Sequence, residues 1–236
     1  MFSAINYAGN QPFNDWFAPD TTQRHALGLK VDAVDNFWGM GSFVYFKSND
    51  AILKGSAVVL DEVYQGVLLP SAVTQGFGFG IAMAPMASGT YGWLQVAGRA
   101  VYKTNATVAA DGVMAIAAAG ILGATATGKQ VLNIRNRKSA TGTETFTALT
   151  TTGSSVLKAV NGYDGAFLGA ALSGTGIPAS TVVAKLGSDG VTVYMGSAIG
   201  TVDKLATATG TITVTATYTG YGSGMIFYPS CMQIVT

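Results

Sequence analysis

Thr211-Ile212-Thr213-Val214-Thr215-Ala216-Thr217 alternates hydroxyl-bearing and apolar side chains without a break. A period of two puts Ile212, Val214 and Ala216 on one face and the threonines on the other, as in a half-buried β-strand. The neighbouring sequence reads the same way. Val182-Val183-Ala184 and Val191-Thr192-Val193-Tyr194 are short β-branched runs. Between them Gly187-Ser188-Asp189-Gly190 is a hairpin turn signal. The stretch 160–217 is therefore expected to be a Thr-rich β-module.

Towards the N-terminus the strand signals continue over 26–134. Phe43-Val44-Tyr45-Phe46, Ala57-Val58-Val59-Leu60, Gly66-Val67-Leu68-Leu69, Trp93-Leu94-Gln95-Val96, Val101-Tyr102 and Val131-Leu132-Asn133-Ile134 are β-branched or aromatic runs, several of them bounded by Gly, Ser or Pro. Gly76-Phe77-Gly78-Phe79-Gly80-Ile81-Ala82 alternates glycine with apolar residues, which suits a strand whose backbone is packed closely on one face. Strand centres about ten residues apart point to a small barrel or sandwich. Val113–Ala119 fits a short helix or a further strand, and no long amphipathic helix is present. Trp38 and Trp93 belong to the expected core.

The fold class expected is all-β: a small β-barrel over 26–134, preceded by an extended arm over 1–25 and followed by the Thr-rich module. The polar stretch 135–159 reads as a linker or hairpin. The last segment, 218–236, holds Met225-Ile226-Phe227-Tyr228. This run matches the aromatic content of the first domain, so the chain is expected to return there, making the Thr-rich module an insertion before the last strand.

Charged residues make up 11% of the 236 residues and hydrophobic ones 49%. An average soluble domain carries roughly 25% charge. So little charge on so apolar a chain fits a surface partly covered by protein partners. The formal net charge of +1 provides no field to draw in nucleic acid or anionic lipid, and neither is expected as a partner. The single cysteine, Cys231, excludes an internal disulfide framework and reads as a buried apolar thiol. The N-terminal stretch has no basic region followed by an apolar run, so synthesis in a cytoplasm is expected. Val113–Ala126 is too short and too rich in Ala and Gly to span a bilayer.

Catalytic and metal chemistry find little to use. His25 is the only histidine, so any Ser-His-Asp or Cys-His set must use it, at the edge of the arm. Two residues of the His/Cys type are too few for a zinc site. Asp32 with Asp35, and Asp61 with Glu62, are the carboxylate pairs. The second pair is expected to point to opposite faces of a strand, and neither pair has an EF-hand loop around it. The glycines at 76–80 lack the Lys-Ser/Thr ending and spacing of a phosphate loop. The expectation is a non-enzyme with no cofactor, metal or catalytic residue. The arm carries Phe2, Tyr7, Phe13, Trp16 and Phe17, which either fold back on the domain or bury themselves in a neighbour. Arg135, Arg137 and Lys138 form the one basic cluster, read as a solvated turn or as a docking point for an acidic patch. The partner-binding candidates are Phe13, Trp16 and Phe17 as anchors, with Arg135 and Arg137 as the polar contribution.

Three segments bring in a resemblance. Asp35-Asn36-Phe37-Trp38-Gly39-Met40-Gly41-Ser42-Phe43-Val44-Tyr45, Ile52-Leu53-Lys54-Gly55-Ser56-Ala57-Val58-Val59, and the stretch from Gly80-Ile81-Ala82-Met83-Ala84 to Gly89-Thr90-Tyr91-Gly92-Trp93-Leu94-Gln95-Val96-Ala97-Gly98-Arg99-Ala100 resemble bacteriophage capsid decoration (cement) proteins. The resemblance covers roughly 26–134. It implies a compact barrel on the outer surface of an icosahedral capsid, bound to the major capsid protein and self-associated as a homotrimer. A second resemblance lies at 168–183, where Ser173-Gly174-Thr175-Gly176-Ile177-Pro178-Ala179-Ser180-Thr181 is similar to a short β-module of phage structural and bacterial surface proteins. Ser180 stands where that module usually has glycine. The rival readings are a phage tail, fibre or spike component for host attachment, a bacterial surface adhesin and, least supported, a hydrolase.

Overall fold

The computed structural model describes residues 3–4, 16, 18–35, 39–71, 78–105, 108–109, 111–124, 129–138, 141–161, 169–186 and 192–232. All regular structure among them is β. In chain order the strands are β1 (Ser3–Ala4), β2 (Lys30–Asp35), β3 (Gly39–Ser48), β4 (Ala57–Leu60), β5 (Gln65–Leu68), β6 (Phe79–Ala82), β7 (Tyr91–Lys103), β8 (Met114–Ala118), β9 (Ile121–Ala124) and β10 (Gln130–Lys138). There follow β11 (Thr141–Thr150), β12 (Val156–Asn161), β13 (Ala171–Ser173), β14 (Thr181–Leu186), β15 (Thr192–Gly196), β16 (Gly210–Thr219) and β17 (Tyr221–Met232).

These strands form two compact units. One is Phe2–Ala140 with Gly220–Thr236, and the other is Thr141–Thr219. The first unit holds an eleven-stranded sheet in the order β1-β2-β3-β5-β4-β6-β7-β17-β10-β8-β9. β17 pairs antiparallel with both β7 and β10, so the Thr-rich unit is inserted before the strand that completes this sheet. An additional β3–β7 pairing, from Gly41↔Gly98 to Lys47↔Tyr91, closes β3, β5, β4, β6 and β7 into a ring. The pairing within that ring is antiparallel except between β3 and β5.

Among the described residues, three apolar clusters pack in the first unit. Leu69, Ile81, Tyr102, Met114, Ile116 and Leu122 centre one of them. Phe46, Ile52, Val58 and Leu94 centre the second. The third gathers Trp16, Phe43, Tyr45 and Trp93. A Cβ at Gly80 would meet the Leu94 side chain at 2.5 Å. The backbone is thus pressed onto its neighbour there, as the alternating glycines implied.

The inserted unit is a closed antiparallel barrel in the order β11-β12-β15-β14-β13-β16. In β16, Ile212, Val214, Ala216 and Tyr218 are buried, and Thr211, Thr213, Thr217 and Thr219 are exposed. β11 pairs with β16 over its whole length, Thr143 opposite Thr217 and Thr145 opposite Thr215. In the Ser173–Thr181 motif, Ile177 N–H donates to Gly174 C=O at 3.0 Å, with Gly176 at φ +82° in the turn position that favours glycine. Ser180 takes φ +54°, the left-handed conformation that explains why glycine suits this place.

The boundaries differ from the sequence expectation. Within 135–159, Arg135–Lys138 end β10 and Thr141–Thr150 form β11, which pairs antiparallel with β12, so of the two expectations the hairpin describes the stretch and the linker does not. Thr143 and Thr145 are exposed on the outward face of a strand one of whose partners, β16, lies far along the chain. Val113–Ala119 contains strand β8, held by pairing to β9 and β10. Asp61 and Glu62 lie in the turn between β4 and β5 and not on a strand, because Asp61 accepts the N–H groups of Val63 and Gln65. Trp38, the hairpin turn at 187–190 and the Cys231 side chain lie outside the described residues.

Candidate binding surfaces

The described part of the arm folds back onto its own chain. Asp20 exchanges backbone hydrogen bonds with Tyr91 at 2.8 and 2.9 Å. Its carboxylate accepts from the Tyr45 hydroxyl at 2.8 Å and lies 3.0 Å from Arg24 Nε. Trp16 is 1% exposed, with its ring 4.5 Å from Phe43 and 4.9 Å from Trp93. A side chain so enclosed belongs to the core, and Trp16 is corrected from partner anchor to core residue. Phe13 and Phe17 lie outside the described residues.

His25 packs edge-on to Tyr45 at 5.0 Å, and its ring lies 5.4 Å from that of Trp93. Burial lowers its pKa below the ordinary histidine value, against the opposing pull of Asp20. Among the described residues no group of three or more His, Cys, Asp or Glu is placed to hold a metal ion. Among the described residues no helix is long and apolar enough to cross a membrane.

Three exposed apolar residues of the first unit, Met225, Phe227 and Tyr228, lie close together on β17. Met225 points outward, paired with Arg99 on β7 and Arg135 on β10, while Ile226 points into the core. The alternation then breaks. Between the pairs Ile134↔Ile226 and Leu132↔Ser230, β10 has only Asn133 while β17 has Phe227, Tyr228 and Pro229. Asn133 and Tyr228 both take positive φ to accommodate the mismatch. A bulge of this kind re-aims side chains. Here it turns two consecutive aromatics outward, Phe227 at 69% and Tyr228 at 49% exposure, their rings edge to face at 5.3 Å. Beside this knuckle is a depression of about 280 Å³, with Gly98 and Ile226 among its lining residues and Met225, Phe227 and Arg135 bordering it.

Arg135 and Arg137 extend this surface along β10 and not along a solvated turn. Both reach Asp111: Arg135 Nε at 2.6 Å and Arg137 at 3.3 Å. Asp111 is fixed by a buried network. The Tyr102 hydroxyl donates to Asn136 Oδ1 at 2.6 Å, and Asn136 Nδ2 donates to the carbonyls of Val108 and Ala109 at 2.8 and 3.0 Å. Asp111 N–H then donates to Asn136 C=O at 2.7 Å. Burial raises the Tyr102 pKa, so the phenol stays a donor. The two guanidinium groups are thus held on one preset carboxylate.

The inserted barrel has its own apolar surface. Ile199, Val202 and Leu205 are exposed at 55%, 40% and 52% in the connection from β15 to β16. Ser197 staples this loop, its N–H and hydroxyl each donating to Asp203 at 2.6 Å. Those bonds hold the Asp203 pKa below the ordinary carboxylate value.

Sequence reasoning located Arg135 and Arg137 but not Met225, Phe227, Tyr228 or Asp111. The available signal was Met225–Tyr228 itself, a continuous apolar run in a strand where alternation was due. No protein-family model matches the chain, and neither a curated protein nor a solved structure matches it.

Proposed function

We propose that the chain is a non-catalytic structural protein of a virion, which binds the outer surface of a phage head and cements neighbouring major capsid protein subunits. The observation carrying this reading is that each of the two units exposes its own rigid apolar surface. One is the Met225–Tyr228 knuckle and the other the stapled loop with Ile199, Val202 and Leu205. A protein that bridges needs at least two contacts, and surfaces held in place before binding lose little freedom when covered. The low charge of the chain, 11%, supports the same reading. A modest contact suffices in a shell, because many repeats of it add to the cost of local opening.

The test is co-sedimentation of the purified chain with expanded, undecorated heads. Saturation at a fixed number of copies per capsid subunit is expected. Ile199→Asp with Leu205→Asp should weaken binding at least about tenfold, because charge is placed in an apolar contact. Absence of binding to heads overturns the proposal. The second reading, a tail, fibre or spike component, is favoured by the exposed threonines of β11 and β16, a hydroxyl-rich face suited to a host surface. It predicts binding to tails or host cells and none to heads.

A further inference from the structure

The turn between β4 and β5 is the chemical complement of the depression beside the β17 knuckle. Its residues Asp61, Glu62 and Val63 are all exposed, Val63 at 57%. The turn is rigid. Asp61 Oδ1 accepts Val63 N–H at 3.0 Å and Gln65 N–H at 2.7 Å. Asp61 N–H donates to Gln65 C=O at 3.0 Å, and Tyr64 N–H to Asp61 C=O at 3.1 Å. Asp61 is therefore committed to shaping the turn, and Glu62 is left beside an exposed apolar side chain. The depression offers the reverse: apolar side chains of Met225 and Phe227 and the guanidinium of Arg135 at its border, with Arg137 beside it on the same carboxylate of Asp111.

These two features cannot meet within one chain. The turn is anchored at the Lys47 end of the β3–β7 ladder, where Lys47 N–H donates to Tyr64 C=O at 3.1 Å. The depression lies at the other end, where Gly98 pairs with Gly41 and Ile226. Six residue steps along β3, from Gly41 to Lys47, separate these ends, about 20 Å at ~3.3 Å per residue. Glu and Arg side chains do not span that gap. A negative, apolar-tipped projection at one end and a positive, apolar-lined hollow at the other make a head-to-tail contact between copies.

We propose that the occupant of the β17 depression is the Asp61–Val63 turn of a second copy of this chain, with Glu62 facing Arg135 and Arg137 and Val63 against Met225 and Phe227. The inference adds self-association to the function proposed above and takes nothing from head binding. A heterologous contact of this kind closes into a ring when its rotation allows.

Sedimentation velocity of the full chain tests it, with melting followed by circular dichroism to show that each variant is folded. The wild type is expected to sediment above the 24.2 kDa of one chain. Glu62→Arg alone and Arg135→Glu alone should each weaken association at least about tenfold, because each sets like charges against each other. A one-to-one mixture of the two variants should re-associate, since each supplies the charge the other lacks. A monomeric wild type overturns the proposal, as does association unchanged in either variant or a mixture that stays apart. Head co-sedimentation of the wild type reads the capsid contact separately. A self-associating chain that ignores heads fails the function and keeps this contact, and a head-binding monomer does the opposite.

Discussion

At the scale of single residues, the backbone of Ser180 explains a departure in its own motif. A φ of +54° costs a non-glycine residue roughly 1–2 kcal/mol, part of which glycine returns through its greater freedom when unfolded. Ser180→Gly is therefore expected to stabilise the barrel by about 0.5–1 kcal/mol, read as a rise in its denaturation midpoint. His25 gives a pH dependence of defined sign. Burial lowers its folded-state pKa, so as pH falls the unfolded chain takes up the proton first. The contribution to stability is present above the unfolded value of about 6.5 and is lost as pH falls from there through the lower folded-state value. Between about pH 7.5 and pH 5.5 the wild type should lose more stability than His25→Gln, since the variant lacks this titration. Equal losses in the two proteins would exclude His25 as the cause.

At the scale of elements, the buried polar network of β7 and β10 sets the geometry of the exposed arginines. Asn136→Ala removes the acceptor of the buried Tyr102 hydroxyl and the donor to Val108 and Ala109. A loss of about 2–4 kcal/mol is expected, because buried polar groups are left unpaired, and urea denaturation would measure it. This scale also separates what was legible in the sequence from what was not. The β16 alternation and the runs at Phe43–Phe46 and Trp93–Val96 could be read because each rests on local pattern, and the return of the last strand because its aromatic content matches that of the first domain. The knuckle could not. It arises from a mismatch between Asn133 on one strand and three residues of another, and pairing register is not written in either strand alone. Burial of Trp16 was equally hidden, since an aromatic in an irregular segment gives no period to say which way it faces.

At the scale of the whole molecule, all six strands of the inserted barrel lie within Thr141–Thr219. Its ends meet, with Thr141 paired to Thr219. A polypeptide of 141–219 alone should therefore fold and unfold cooperatively, with no open sheet edge to promote aggregation. A dispersed amide NMR spectrum and a single thermal transition are the expected readouts. A collapsed spectrum would mean that the barrel depends on the sheet unit.

The placement of β17 also orders events in time during synthesis. The sheet unit is begun first, yet its strands β7 and β10 stay without their common partner until residues 221–232 have been made. By then every residue of the inserted barrel has already been translated. The barrel can be finished while the sheet is still open, and a ribosome that stalls between the two releases a folded barrel tethered to two bare strand edges. Those edges are ready-made templates for pairing with other chains. Truncated products are therefore the species that chaperones and proteases must intercept, although every one of them carries a sound domain.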